Sequence, residues 1–443
     1  MVMYDYTYWS SPVAPQTLVA LSPLTLSDKY FQFNLATNYW QAIPSNSLML
    51  AGKGYIIRAP QNHINGDTFK GSFYGIPNNG TITTPIVVAA GDTNLIGNPY
   101  PSALRAISFL SDPLNTSVID ATMYFWTHNT VITANNYTAN DYAMFNYSGG
   151  TASASPAPGA NNTTPNGFVA SGQSFFIKGI NSGGNVTFKN NMRSAAFSNS
   201  QFYRNSVLSQ LNANEQNIMS LERNRLWLDI VNNQGAFKQT LVGYIESATN
   251  EMDRGFDGET IEAGNSVSLY SVLGNKKLGI QGRMLPFDSN DVVPLGYATT
   301  ASGSFEIRLS NFDGLFANQA VYLEDKLLNV FHNLKDSNYA FQTTSGTFDN
   351  RFQLRYADAA LNVNQFDTSN AIVLFGTKSD LHVKSSSSLL KQVKVYDIRG
   401  RLLQTVSDIF NVEVTLDLGT TNQVYLIQIT TDDDVTQTKK YTN

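Results

Sequence analysis

The chain of 443 residues contains no cysteine. No disulfide framework, thiolate metal site or cysteine nucleophile can be built from it. Charge is also scarce. Only 14% of residues are Asp, Glu, Lys or Arg, and the net charge is −5. So mild an acidic balance speaks against nucleic acid as a main partner. The four histidines, His63, His128, His332 and His382, are far apart and none sits in His-Glu-x-x-His or a similar ligand spacing. There is no Gly-x-Ser-x-Gly elbow and no Walker loop. The chain therefore reads as non-enzymatic. Glycoside hydrolysis, which needs only two facing carboxylates, is the one chemistry that 34 acidic residues leave open. No apolar run reaches the roughly 18 residues needed to cross a bilayer. Met1 to Ser11 is aromatic and polar, without the basic and apolar regions of a signal peptide. It reads like the interior of a longer protein, so further domains are expected ahead of it.

Gly, Asn, Ser and Thr are abundant, and aromatics make up 12% of the chain, with 22 Tyr and 26 Phe. This mix favours short strands joined by many turns. The expected fold is all-β: tandem antiparallel sandwiches, jelly-roll-like, ending in an immunoglobulin-like sandwich. The length suits two to four domains.

Residues 1–196 form the first expected domain. Gly52-Lys53-Gly54-Tyr55 feeds a strand, and Thr122 to Thr127 and Tyr142 to Tyr147 are aromatic strands. Ser102 is placed to cap a short helix running through Leu110. Residues 149–167 are of low complexity and read as a loop. Residues 197–222 read as a polar linker, partly helical toward its end. Residues 223–358 form the second domain, in which Leu226, Leu228 and Ile230 alternate with Trp227 and Asp229. Eight or so strands at this spacing suggest a jelly roll. The third domain, residues 366–443, is reached through a short hinge.

Two constellations are candidate binding sites. Asn250, Asp253, Asp257 and Glu259 lie on one Gly-containing loop, and calcium takes six to eight oxygens from such groups. The spacing is not that of an EF-hand, and Arg254 sits among the acids. The competing account is a turn in which these side chains bind backbone amides. The second is aromatic. Trp9 and Trp40 lie near turn signals in a region dense in amides, where a flat ring can stack on a sugar and amides can bind its hydroxyls. The competing account there is core packing, where most aromatics end.

The last 70 or so residues carry the clearest pattern. Val412, Val414, Leu416 and Leu418 alternate with Glu413, Thr415 and Asp417. Tyr425, Ile427 and Ile429 share a face, as do Val393 and Val395. Asp397 to Gly400 supplies a turn, and Lys439-Lys440 stands near the end. The order Val395-Tyr396-Asp397-x-x-Gly400-Arg401-Leu402, then Tyr425-x-Ile427-x-Ile429, then Lys439-Lys440 resembles the type A C-terminal sorting domain of the Bacteroidetes type IX secretion system. One departure is Gln423-Val424, where the family often has Gly before the Tyr of the last long strand. The blocks Trp9-Ser-Ser-Pro12, Gly52-Lys-Gly-Tyr55, Gly97-Asn-Pro-Tyr-Pro-Ser102 and Gly172-Gln-Ser-Phe-Phe176 resemble a module near the C-termini of large flavobacterial surface proteins, a likeness that bears on location rather than chemistry.

The first resemblance implies a secreted, cell-surface protein whose last domain is an export address. It implies recognition by the outer-membrane translocon and its shuttle protein, then cleavage and surface attachment by a sortase-like enzyme. The body is expected to be adhesin-like or structural, with surface glycans as candidate ligands. The rival expectation is a set of accessory carbohydrate-binding modules belonging to a larger carbohydrate-active enzyme.

Overall fold

The computed structural model describes residues 3–64, 67–89, 91–127, 132–133, 136–137, 142–154, 164–197, 199, 221–261, 264–357, 372–376, 380–385, 388–419 and 423–442. The chain is all-β, and it divides into two compact units, Met1–Ala357 and Asp358–Asn443. No helix among the described residues is long and apolar enough to cross a membrane.

The first unit begins with a four-stranded sheet in the order Tyr6–Trp9, Tyr55–Arg58, Tyr30–Asn34, Tyr39–Ala42. A five-stranded sheet follows, in the order Gly150–Thr151, Tyr142–Phe145, Ile119–Trp126, Ser174–Gly179, Thr93–Gly97. One face of that second sheet covers a core holding Phe109, Phe125, Phe175 and Phe188. The helix expected from Ser102 is shorter. Residues Leu104–Arg105 are strand, and the helix spans Ala106–Leu110 with Arg105 at its N-cap and no side-chain cap. Pairing of Leu104 with Val169 claims the first turn's residues for a ladder instead. Within the 149–167 loop, Gly150–Thr151 and Ser153–Ala154 are strands. Residues 155–163 of that loop and most of the expected linker, 201–220, lie outside the described residues.

From residue 223 to 355 eleven strands form one continuous hydrogen-bonded sheet that curls about a single core, and Ser153–Ala154 adds a twelfth. Its strands include Arg223–Asn232, Phe237–Ile245, Lys276–Arg283, Gly303–Phe312 and Gly346–Arg355. Strands near opposite ends of the sheet order meet across that core. Tyr339 donates its hydroxyl hydrogen to Asp325 at 2.9 Å, and Arg351 reaches both Asp325 at 2.8 Å and the Gln342 carbonyl at 2.9 Å. Pairing is antiparallel except where Leu241 to Tyr244 run parallel to Ile280 to Arg283.

These two regions are not separate bodies. Ser153–Ala154 pairs with the start of Phe237–Ile245, so a loop of the first region extends the sheet of the second. A shared core then joins Tyr124, Tyr142, Met144 and Phe176 from one side to Trp227, Leu241 and Ile280 from the other. Trp227 donates its indole N–H to the Gly150 carbonyl at 2.8 Å. The two faces approach closely because Gly258 and Gly279 lack side chains. A Cβ on either would stand 2.7 Å from the thioether of Met144.

The second unit is a small sandwich. A three-stranded sheet, in the order Ile372–Gly376, Asp380–Ser385, Glu413–Asp417, packs on a four-stranded one, in the order Leu402–Asn411, Leu390–Asp397, Val424–Thr431, Thr436–Thr442. The period-two readings hold here except at Val412, which is exposed, while Leu416 is buried and Val414 and Leu418 pack against the core. Val393, Val395, Tyr425, Ile427 and Ile429 are buried and share the core.

Candidate functional site

The acidic loop does not assemble an ion site. Asp253 accepts the Thr249 amide, and Asn250 accepts the Met284 amide at 3.3 Å. Asp257 accepts the amides of Asp253 at 2.6 Å and Gly282 at 2.9 Å, one on each oxygen. Glu259 points elsewhere, to Lys276 at 2.5 Å and Lys178 at 3.4 Å. Among the described residues no three His, Asp or Glu side chains are grouped as metal ligands. The expectation of calcium on Asn250, Asp253, Asp257 and Glu259 is therefore corrected. Backbone amides engage Asn250, both oxygens of Asp257 and one oxygen of Asp253, and lysines engage Glu259, as the turn account required.

What the loop does build is a clamp between the two regions of the first unit. Ser148 and Thr122 donate their hydroxyls to the carbonyls of Phe256, at 2.6 Å, and Asp257, at 3.1 Å. The Tyr147 amide donates to the Gly255 carbonyl at 2.7 Å, and the rings of Tyr147 and Phe256 meet edge to face. The Tyr124 hydroxyl donates to the Glu259 carbonyl at 2.9 Å. Burial pushes the Asp257 carboxyl up to about 7 against the pull of its two amide bonds. Asp120, on the facing strand, is pushed up to about 6, again by burial. Burial also works to raise Glu259, but Lys276 and Lys178 outweigh it and hold that carboxyl below its usual range. Sequence spacing could not pair Asp120 with residues about 140 positions later.

The two tryptophans belong to cores rather than to a glycan face. Trp9 is only 9% exposed and packs edge to face on Phe69 and Phe73. Trp40 is half-buried in an aromatic cluster with Tyr8, Phe33 and Phe176. Both are corrected as stacking faces, because the hydrophobic return on burying an indole exceeds that of exposing it. Next to Trp40 in the chain, the Tyr39 ring faces solvent and is 71% exposed. Strand alternation carries that signal: if one of two neighbours turns inward, the other turns out.

In the second unit the residues quoted for the export resemblance take definite positions. Asp397 binds the amides of Arg399 at 3.0 Å and Arg401 at 2.9 Å, and the Arg401 side chain at 3.1 Å. The Arg401 amide, chiefly, holds the Asp397 carboxyl below its usual range. Gly400 closes this turn at a φ of +77°, a region L-residues avoid. Tyr396 donates to Gln428 at 3.2 Å, and Tyr425 donates to the Leu418 carbonyl at 2.9 Å. Lys439 and Lys440 sit on the edge strand, opposite Ile427 and Leu426, and Lys439 donates to the Ile372 carbonyl at 2.5 Å. Of the histidines, His382 stacks on Phe375 and bonds Glu413 at 3.1 Å, His332 bonds the Ser337 carbonyl at 2.8 Å, and His128 lies outside the described residues.

These features define an all-β protein of two sandwiches locked into one body and a third that forms its own unit. The chain belongs to the family described as Domain of unknown function (DUF8693), whose profile matches residues 1–356. That match runs through residues 197–222 and stops at the edge of the first unit. A second profile, Domain of unknown function (DUF8694), matches residues 361–442. Among solved structures, a DUF3244 family protein with an immunoglobulin-like β-sandwich fold from Bacteroides vulgatus is similar at 17% identity, over 16% of this chain and 84% of that one, with a TM-score of 0.15. No curated protein matches the chain.

Proposed function

We propose that the second unit is a type A sorting domain for type IX secretion, and that the first unit is the body it delivers to the cell surface, adhesin-like or structural in role. One observation carries this reading. Asp397 to Arg401 form a self-bonded exposed turn, and Lys439 and Lys440 lie on an edge strand that is paired on one side only, two features a partner protein can reach. Tyr425, Ile427 and Val395 are the core that holds those two features in place. An edge strand offers free N–H and C=O groups to a partner, and the lysines keep it from pairing with copies of itself. The partners on this reading are the outer-membrane translocon, its shuttle protein and the sortase that exchanges the domain for a surface anchor.

The test is a fusion of residues 358–443, behind a signal peptide, to a fluorescent protein in a type IX-competent host. Appearance of the fusion at the cell surface or in the medium is the expected result. Retention in the periplasm, in a host that exports a known type A signal, would sink the reading.

A further inference from the structure

We propose that the open face of the first sheet binds a neutral saccharide chain, through the Tyr39 ring and the side-chain amide of Gln41. The inference gives the adhesin reading of the body a ligand class, and it does not depend on the export reading of the second unit.

The argument starts from strand alternation. Tyr30, Gln32 and Asn34 share one face of their strand, and Tyr39 and Gln41 share the matching face of the edge strand beside it, with Gln32 opposite Gln41 and Asn34 opposite Tyr39. Tyr30 is covered by Leu18, Leu21 and Met49. The cover ends there, and Tyr39 and Gln41 are exposed.

Four polar side chains on this face form a directed chain. Lys53 donates to Gln32 Oε1 at 2.6 Å. Gln32 Nε2 donates to Gln41 Oε1 at 3.1 Å, and Asn34 Nδ2 donates to the same oxygen at 3.3 Å. Asn34 Oδ1 is taken by the amides of Ala36 at 3.0 Å and Thr37 at 3.4 Å. The direction is fixed from both ends. An ammonium has only donors, so Gln32 must turn its oxygen to Lys53 and its nitrogen to Gln41. Backbone amides are also donors, so Asn34 must turn its nitrogen to Gln41. Both incoming donors meet on Gln41 Oε1, which leaves Gln41 Nε2 aimed outward with two N–H groups for a ligand.

The resulting surface has a defined chemistry. It offers donors to neutral oxygen acceptors, with the Lys53 charge already engaged by Gln32. It offers one aromatic ring two residues along the same strand, about 7 Å away. A sugar ring has an apolar C–H face for the ring and hydroxyl oxygens for the amide. The face lies at the edge of a four-stranded sheet, where a chain can lie across it.

The test is affinity electrophoresis of the full chain in gels containing xylan, hydroxyethyl cellulose, galactomannan, laminarin or dextran, beside gels containing the uronic alginate and the sulfated carrageenan. Retardation by at least one of the first five is expected. Tyr39→Ala should weaken it about tenfold or more, and Gln41→Ala about fivefold, the scale of one stacking contact and one hydrogen bond. Both residues are exposed, so thermal melts should match the parent. Tyr74→Ala, an equally exposed tyrosine, should change nothing. No retardation by any of the five overturns the proposal. Retardation that survives Tyr39→Ala overturns this site while leaving a glycan-binding body standing. Retardation confined to uronic or sulfated polysaccharides and lost at about 0.5 M salt, where surface charges are screened, overturns the neutral-sugar assignment.

Discussion

Raising the pH from 4 to 8 should weaken the first unit through Asp257. Its carboxyl is buried, and its pKa is pushed from the ordinary 3.8 up to about 7. The native state therefore holds a proton that the unfolded state has released. Stability from this group is fully present below about pH 4, falls as pH rises through the window from 3.8 to 7, and is gone above it. At 1.36 kcal/mol per pH unit the loss is at most about 4 kcal/mol. Asp120, pushed up to about 6, adds a smaller loss of the same sign. Asp257→Asn removes the titration. It also leaves one amide, of Asp253 or Gly282, facing an NH2 group, which costs about 1–3 kcal/mol. Urea melts at several pH values should then show a variant that is weaker than the parent at pH 5 but flatter with pH, so that the two curves converge toward pH 8. A variant curve parallel to the parent across this window would refute the assignment.

Three further outcomes follow from the packing. Arg351→Met should cost about 3–5 kcal/mol in urea melts, because it strands the fully buried Asp325 carboxylate, and pairing it with Asp325→Leu should recover much of that loss. A fragment ending at residue 357 should unfold in one calorimetric transition of about 250 kcal/mol, from about 0.7 kcal/mol per residue, and two well-separated transitions would show that the shared core does not couple the sandwiches. Gly400→Val should destabilise the second unit by about 1–2 kcal/mol through backbone strain alone, since nothing crowds a Cβ there, whereas Gly400→Asn should be milder.

The small sandwich was the most legible part of the sequence. Its strands are half-buried, and Tyr425, Ile427 and Ile429 announce one face by strict alternation. The strand Val293–Thr299 is hard to read from the sequence because Pro294 and Gly296 interrupt its pattern, although Pro294 tolerates its place by leaving its neighbours to carry the ladder. The junction of the first two sandwiches was missed. Its signal was present in Thr240 to Ile245, where every residue is buried. A strand without alternation is covered on both faces, and the second cover had to come from somewhere. The sequence could not say that the cover was Met144, about a hundred residues earlier. The calcium reading failed for a local reason, since Asn250, Asp253 and Asp257 are taken up by backbone amides within and beside the loop and Glu259 by two lysines. The glycan reading chose the larger rings, and size favours burial.

The socket that Gly258 and Gly279 form around Met144 makes three distant positions into one unit of inheritance. A methyl added at Gly279 must be met by a shorter side chain at 144, and a bulkier residue at 144 leaves the glycines nowhere to yield. Relatives of this chain should therefore change these positions together or not at all. The same logic gives an engineer a handle: Gly279→Ala alone should loosen the two sandwiches, and Met144→Leu beside it should draw them shut again.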